Sequence, residues 1–211
     1  MSERPAQISS VSSQTGMAGR EAFLTSNALL SSGSIIAPAV VVTTGFMPAV
    51  ALCIVFSIVT YVTVAVCSFV PAKLVYTVRI ILYTFIASLV YVPVSIMMEN
   101  IMPVQYAALG IYAPLLITNS IITVKTEAKF YRLKRGYMLK LAAFYVFGYD
   151  ISLILFGTIR ELLTGGSIMG LKILPLSLPT ASTVFGGFML LAVISALFRW
   201  FIRLPFRKEE Q

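Results

Sequence analysis

The chain has 211 residues, of which 58% are hydrophobic and 11% charged, and its mean hydropathy is +0.92. That balance excludes an ordinary soluble domain and indicates an integral membrane protein whose solvent is the lipid bilayer. The net charge of +8 does not imply nucleic acid, because the lysines and arginines stand at the ends of apolar runs and in one loop, where membrane orientation places them. With no histidine, His-ligated haem and His-rich zinc sites are excluded.

Residues 1–21 are Ser/Gln-rich and mixed in charge, and read as a short cytoplasmic N-terminal tail without a cleavable signal. No charge then occurs between Glu21 and Lys73, a run of 51 residues that holds two crossings and a turn. The first span is expected over residues 22–44, divided by Gly33 and Pro38. The second covers 46–70 and contains both cysteines, Cys53 and Cys67, which therefore report nothing about a redox compartment. A third over 74–98 holds Arg79 and Pro93 and ends at Glu99.

The uncharged run from Asn100 to Val124 is the most informative stretch. It is long enough to cross a bilayer at about 1.5 Å rise per residue, yet it carries Gly110 and Pro114. A backbone break at membrane depth is tolerated only where protein covers it or where it lines a cavity, so this fourth span is expected to face a site. Ala113-Pro114-Leu115-Leu116-Ile117-Thr118-Asn119-Ser120 also lies without gaps over Ala37-Pro38-Ala39-Val40-Val41-Val42-Thr43-Thr44. Two related halves are implied.

A basic loop follows, with Lys125, Lys129, Arg132, Lys134, Arg135 and Lys140 against Glu127. The fifth span is expected over 137–163 with Asp150 deep inside it and Arg160-Glu161 at its end. Residues 168–179 read as an irregular or re-entrant connection. The sixth span, 180–202, leads into Arg203, Arg207 and Lys208. If both termini and the basic loop are cytoplasmic, only Arg160 and Lys172 stand on the outer side. Three spans per half means opposite insertion of the halves, residues 22–98 and 99–203, with 204–211 a cytoplasmic C-terminal tail. The expected fold is thus an all-α polytopic membrane protein of six transmembrane helices in two inverted three-helix repeats, with discontinuous first and fourth helices meeting near the midplane.

The candidate midplane site comprises Gly33, Ala37, Pro38, Thr43, Thr44, Gly110, Pro114, Thr118, Asn119 and Ser120, whose polar groups and freed carbonyls suit a small cation or polar ligand. Asp150 is a candidate for an ion or proton path, because an acid inside a span is costly and usually functional. A single hydrogen-bonding partner would equally make it structural. For Arg160 and Glu161 a structural ion pair or a snorkelling arginine is the expectation.

Three motifs carry a resemblance. The stretch from Leu109 to Ser120 is similar to Leu-Gly-Ile-Phe-x-Pro-Leu-Ile-x-Thr-Asn-Cys, Thr126-Glu127-Ala128 to Ala-Glu-Ala, and Gly157-Thr158-Ile159-Arg160-Glu161-Leu162 to Gly-Ser-Leu-Arg-Glu-Ile, all in the order and spacing of the Rnf/Nqr family of membrane subunits. The resemblance covers residues 22–203 and is nearest to the RnfE/NqrD-type branch. It implies a non-catalytic subunit of an electron transport complex in the bacterial or archaeal plasma membrane, coupling redox chemistry to Na+ or H+ translocation. It also implies a homologous membrane subunit of opposite orientation and partner subunits carrying flavin and Fe–S groups. In the family, two cysteines per subunit hold an iron–sulfur cluster in the membrane. Here Ala37 and Ser120 replace those ligands, so no metal and no cofactor is expected on this chain alone. The alternative is a cluster-free secondary transporter or channel for a small solute or ion on the same scaffold.

Overall fold

The computed structural model describes residues 36–70, 74–119, 121–122, 135–168, 171–172 and 178–203. Seven helices occur among them: α1 (Ile36–Val42), α2 (Phe46–Cys67), α3 (Tyr76–Ile101), α4 (Pro103–Leu109), α5 (Tyr112–Leu115), α6 (Arg135–Gly165) and α7 (Val184–Arg203). A 3-10 turn, Leu116–Thr118, continues α5, and another, Pro179–Ser182, precedes α7. Between α6 and that second turn, β1 (Ser167–Ile168) and β2 (Leu171–Lys172) form a two-residue antiparallel pair, where an irregular connection was expected.

Three helices among the described residues are long and apolar enough to cross a membrane: α2, α3 and α6. Shorter than these is the apolar stretch of α7, Val184–Leu197. The molecule is built around α2 and α6, which pack along each other and bring the Phe56 and Tyr149 rings to a centroid separation of 4.2 Å. Against α2 lie α3 and α4, and against the end of α6 lies the Pro179–Ser182 turn. Over half of the most apolar window of α2 (56%) is buried in the protein, against 17% for α3. The row Ile81, Phe85, Leu89 and Ile96 of α3 is exposed at roughly helical spacing, as a lipid-facing surface requires.

Helix ends follow local chemistry. Pro48 lies in the first turn of α2 and Pro103 at the first position of α4, where the missing N–H has no intrahelical acceptor to lose. Pro93 lies inside α3 without ending it. Hydroxyls that face apolar surroundings bond back into their own helix, as Ser152 does to the Gly148 carbonyl (2.9 Å) and Thr158 to that of Ile154 (2.7 Å).

The fourth expected span is a chain of short pieces. α3 runs on to Ile101, Met102 leaves helical geometry at φ −137° and ψ 62°, and α4 follows at once. α4 stops at Gly110, whose φ of 48° lies in the left-handed region that a side chain disfavours. The break is therefore made by Gly110. Pro114 falls within the first turn of α5, where its ring is compatible with the helix start.

Candidate functional site

The two stretches that align between the halves both form short helices, α1 and α5 with its 3-10 continuation, and α1 packs against α5. Pro38 lies in α1 and Pro114 in the first turn of α5. Pro38 is buried and Pro114 exposed. Gly33 lies outside the described residues, as do Ser120 and the side chain of Ala37.

Thr43 is fully buried, and its hydroxyl donates to the Ala39 carbonyl one turn back. Thr44 and Thr118 are exposed, and the Thr118 hydroxyl donates to the Leu115 carbonyl at 3.2 Å. Asn119 is 4% exposed with its amide engaged on both sides. Its Nδ2 donates to Thr60 Oγ1 (3.0 Å) and the Leu116 carbonyl (2.8 Å), while Oδ1 accepts from the N–H groups of Ile121 and Ile122, both at 3.0 Å. Asn119 thus ends one turn, starts the next and ties both to α2. Thr43 adjoins the start of α2, whereas Asn119 reaches Thr60, about 20 Å further along that helix at 1.5 Å per residue.

What holds the first break is a pair of residues from α6. Arg160 is fully buried. Its Nη1 donates to the carbonyls of Val40 and Thr43 (3.1 Å to the latter), at the end of α1. Nη2 donates to Ser182 and Thr183 (2.9 Å each) and Nε to Ala181 (2.8 Å). Five carbonyls from two chain segments therefore meet one guanidinium. The next residue, Glu161, acts on the opposite kind of helix end, accepting the Phe46 N–H at 2.6 Å where α2 begins. A cation at carbonyls and a carboxylate at amides is the pairing that helix dipoles favour. The resemblance pointed to these two residues, but which helix ends they cap depends on contacts more than a hundred positions away in the chain.

Gly157, the first residue of the same motif, makes the close approach possible. A Cβ there would stand 2.7 Å from Ala49 Cβ and 2.9 Å from the Gly45 carbonyl oxygen. With Glu161 one turn further on, α6 can lie directly on the α1–α2 connection.

Asp150 stands midway along α6, facing the middle of α2. Ser57 donates its hydroxyl to Asp150 Oδ2, and the Cys53 thiol lies 3.6 Å from the Asp150 backbone carbonyl. The other carboxyl oxygen, Oδ1, is buried and accepts from no group among the described residues. Cys53 and Cys67 are both buried free thiols, and no group of three or more Cys, Asp or Glu side chains able to hold a metal occurs among the described residues.

An all-helical core of long apolar helices, interrupted by short ones and closed by a buried charge on backbone carbonyls, defines a polytopic membrane protein. Its residues 19–195 match the family model described as Rnf-Nqr subunit, membrane protein, and the chain belongs to that family. It is also 30% identical, over 118 residues, to a subunit of the Na(+)-translocating ferredoxin:NAD(+) oxidoreductase complex of Acetobacterium woodii. That match covers 54% of this chain and 60% of the relative, so the chain matches about three-fifths of the relative's length.

Proposed function

We propose that this chain is a membrane subunit of an Rnf/Nqr-like complex that couples electron transfer to the movement of Na+ or H+, and that its own part is to shape the ion or electron path. The observation that carries the reading is the contact between α1 and α5, the two interrupted segments, inside a chain whose family match spans both. Six spans in two inverted halves follow from the same reading. α1, α2 and α3 then correspond to α5, α6 and α7, with a short helix followed by two long ones in each half. The homologous partner subunit inserts the opposite way, and the termini face the cytoplasm.

The residues present do not fit an iron–sulfur cluster. Ala37 and Ser120 stand where the resemblance expects thiolates, and neither is a comparable iron donor. Cys53 and Cys67 are no substitute, because they lie on α2, about 21 Å apart along the helix, and the Cys53 thiol faces α6. Flavin and Fe–S groups then belong to partner subunits, and no electron-transfer step is assigned to a group on this chain.

Purification from native membranes in mild detergent tests the reading. Co-elution with flavin- or Fe–S-bearing subunits is the expected result. Isolation of the chain alone or as a homodimer, with substrate-dependent uptake after reconstitution in vesicles, overturns it in favour of a secondary transporter.

A further inference from the structure

On the packed helices α2 and α6 two buried polar atoms, Asp150 Oδ1 and Thr63 Oγ1, have no hydrogen-bond partner among the described residues. Asp150 lies at mid-height of α6, so in a membrane its carboxyl is as far from water as this helix can place it. An ionised carboxylate at such depth carries a large desolvation cost unless it is paired, and the usual relief is to take up a positive charge. The protein supplies half of what the carboxyl needs. Ser57 donates to Oδ2, and the buried Oδ1 receives nothing from the described residues. A structural acid is normally satisfied at both oxygens, as Arg160 is satisfied at all of its nitrogens.

A polar seam runs from this point. Ser57, Thr60 and Thr63 follow one another at three-residue intervals on α2, so consecutive hydroxyls are neighbours on the helix surface. Thr60 is fully buried and bonds Asn119 of the interrupted segment after α5. Thr63 is also fully buried, and its hydroxyl has no protein partner. Two buried polar atoms without partners among the described residues are a costly arrangement for packing and a useful one for passing a proton. The titratable groups facing Asp150 are Cys53 on α2 and the fully buried Tyr149 beside it on α6. The described side chains of α7 include no titratable group.

We propose that Asp150 is a proton-binding site in the membrane interior, held by Ser57, with Thr60 one turn further along α2 tying this level to the interrupted segment at Asn119. The proton adds to Oδ1 and leaves from it, so only an O–H bond forms and breaks and no co-reactant is needed. Sodium is the less suited ligand here, because among the described residues one hydroxyl, that of Ser57, bonds the carboxyl. The participation of this proton in redox-driven transport rests on the function proposed above, whereas its binding does not.

The test uses native membranes and dicyclohexylcarbodiimide, an apolar reagent that adds covalently to protonated carboxyls, with the modified residue located by peptide mass spectrometry. Modification of Asp150 that declines as pH rises is expected, and Ser57→Ala is expected to shift the midpoint of that decline. Absence of modification at Asp150 at every pH, while other carboxyls of the same membranes react, overturns the proposal. Protection by Na+ at constant pH also overturns it, since the site then takes sodium. In the reconstituted complex, Asp150→Asn is expected to abolish redox-driven ion movement while Asp150→Glu retains part of it. Transport by Asp150→Asn equal to the unaltered complex counts against the proposal. Labelling at Asp150 in a protein that purifies without redox partners refutes the proposed function and leaves the proton site standing, so the two failures are distinguishable.

Discussion

Arg160 and Asp150 stand ten residues apart on the same helix, Arg160 fully buried and Asp150 partly so. Arg160 is met by five carbonyls at helix and turn ends. Asp150 is met by one hydroxyl, with one oxygen left over. A charge whose hydrogen bonds are complete is an architectural device, since moving it costs every bond at once. A charge left half-satisfied is a place where the protein can change state.

If that contrast is right, neutralising the two residues has opposite consequences. Arg160→Leu should have the largest effect, destabilising the fold by about 3–5 kcal/mol, because it strands carbonyls in a dry interior. Thermal unfolding in detergent, followed by tryptophan fluorescence, measures this. A variant as stable as the parent would show that the carbonyls find other partners. Gly157→Leu should come next, at about 1–3 kcal/mol by overpacking, because its side chain must displace Ala49 or the Gly45 carbonyl. The same assay reads it, and parental stability would mean that α6 and the α1–α2 connection are not in this contact.

Asn119→Ala removes an amide bonded on both sides and is expected to cost about 1–3 kcal/mol. Hydrogen exchange should rise at Ile121 and Ile122, whose N–H groups lose their acceptor; unchanged protection there would refute the cap. Glu161→Gln keeps an acceptor for the Phe46 N–H and loses only the charge at the start of α2, so about 0.5–1 kcal/mol is expected. Asp150→Asn should have the smallest effect on stability, within about 0.5 kcal/mol or slightly stabilising, because it removes a buried charge and keeps the hydrogen bond with Ser57. A loss as large as that of Arg160→Leu would make Asp150 architectural and erase the contrast.

Much of this organisation was legible in the order of residues. Uncharged runs identified the long helices α2, α3 and α6 to within a few positions, because a bilayer-length helix without charges has few alternatives. Gly110 was visible as a break, although the weight given to Pro114 was misplaced, since a proline in a first turn interrupts nothing. Asp150 stood out as the acid within a span. The sequence alone does not show that Thr43 lies at the Arg160 end and Asn119 at the level of Thr60. Alignment of the two halves puts these residues at matching positions in their own segments, but it carries no information on where each segment lies along α2.

Composition, the spacing of charges and the three motifs were sufficient by themselves for the membrane class, the family and the places where helices stop. Those properties depend on each segment's own transfer into lipid, which is a sum over neighbouring residues. Only the tertiary structure decided that Arg160 bonds the ends of α1 and the Pro179–Ser182 turn, that Glu161 starts α2, and that Ser57 meets Asp150. The physical reason is that a buried charge is stabilised by whichever backbone or side-chain dipoles packing brings to it, and here those dipoles come from segments as much as 120 residues away.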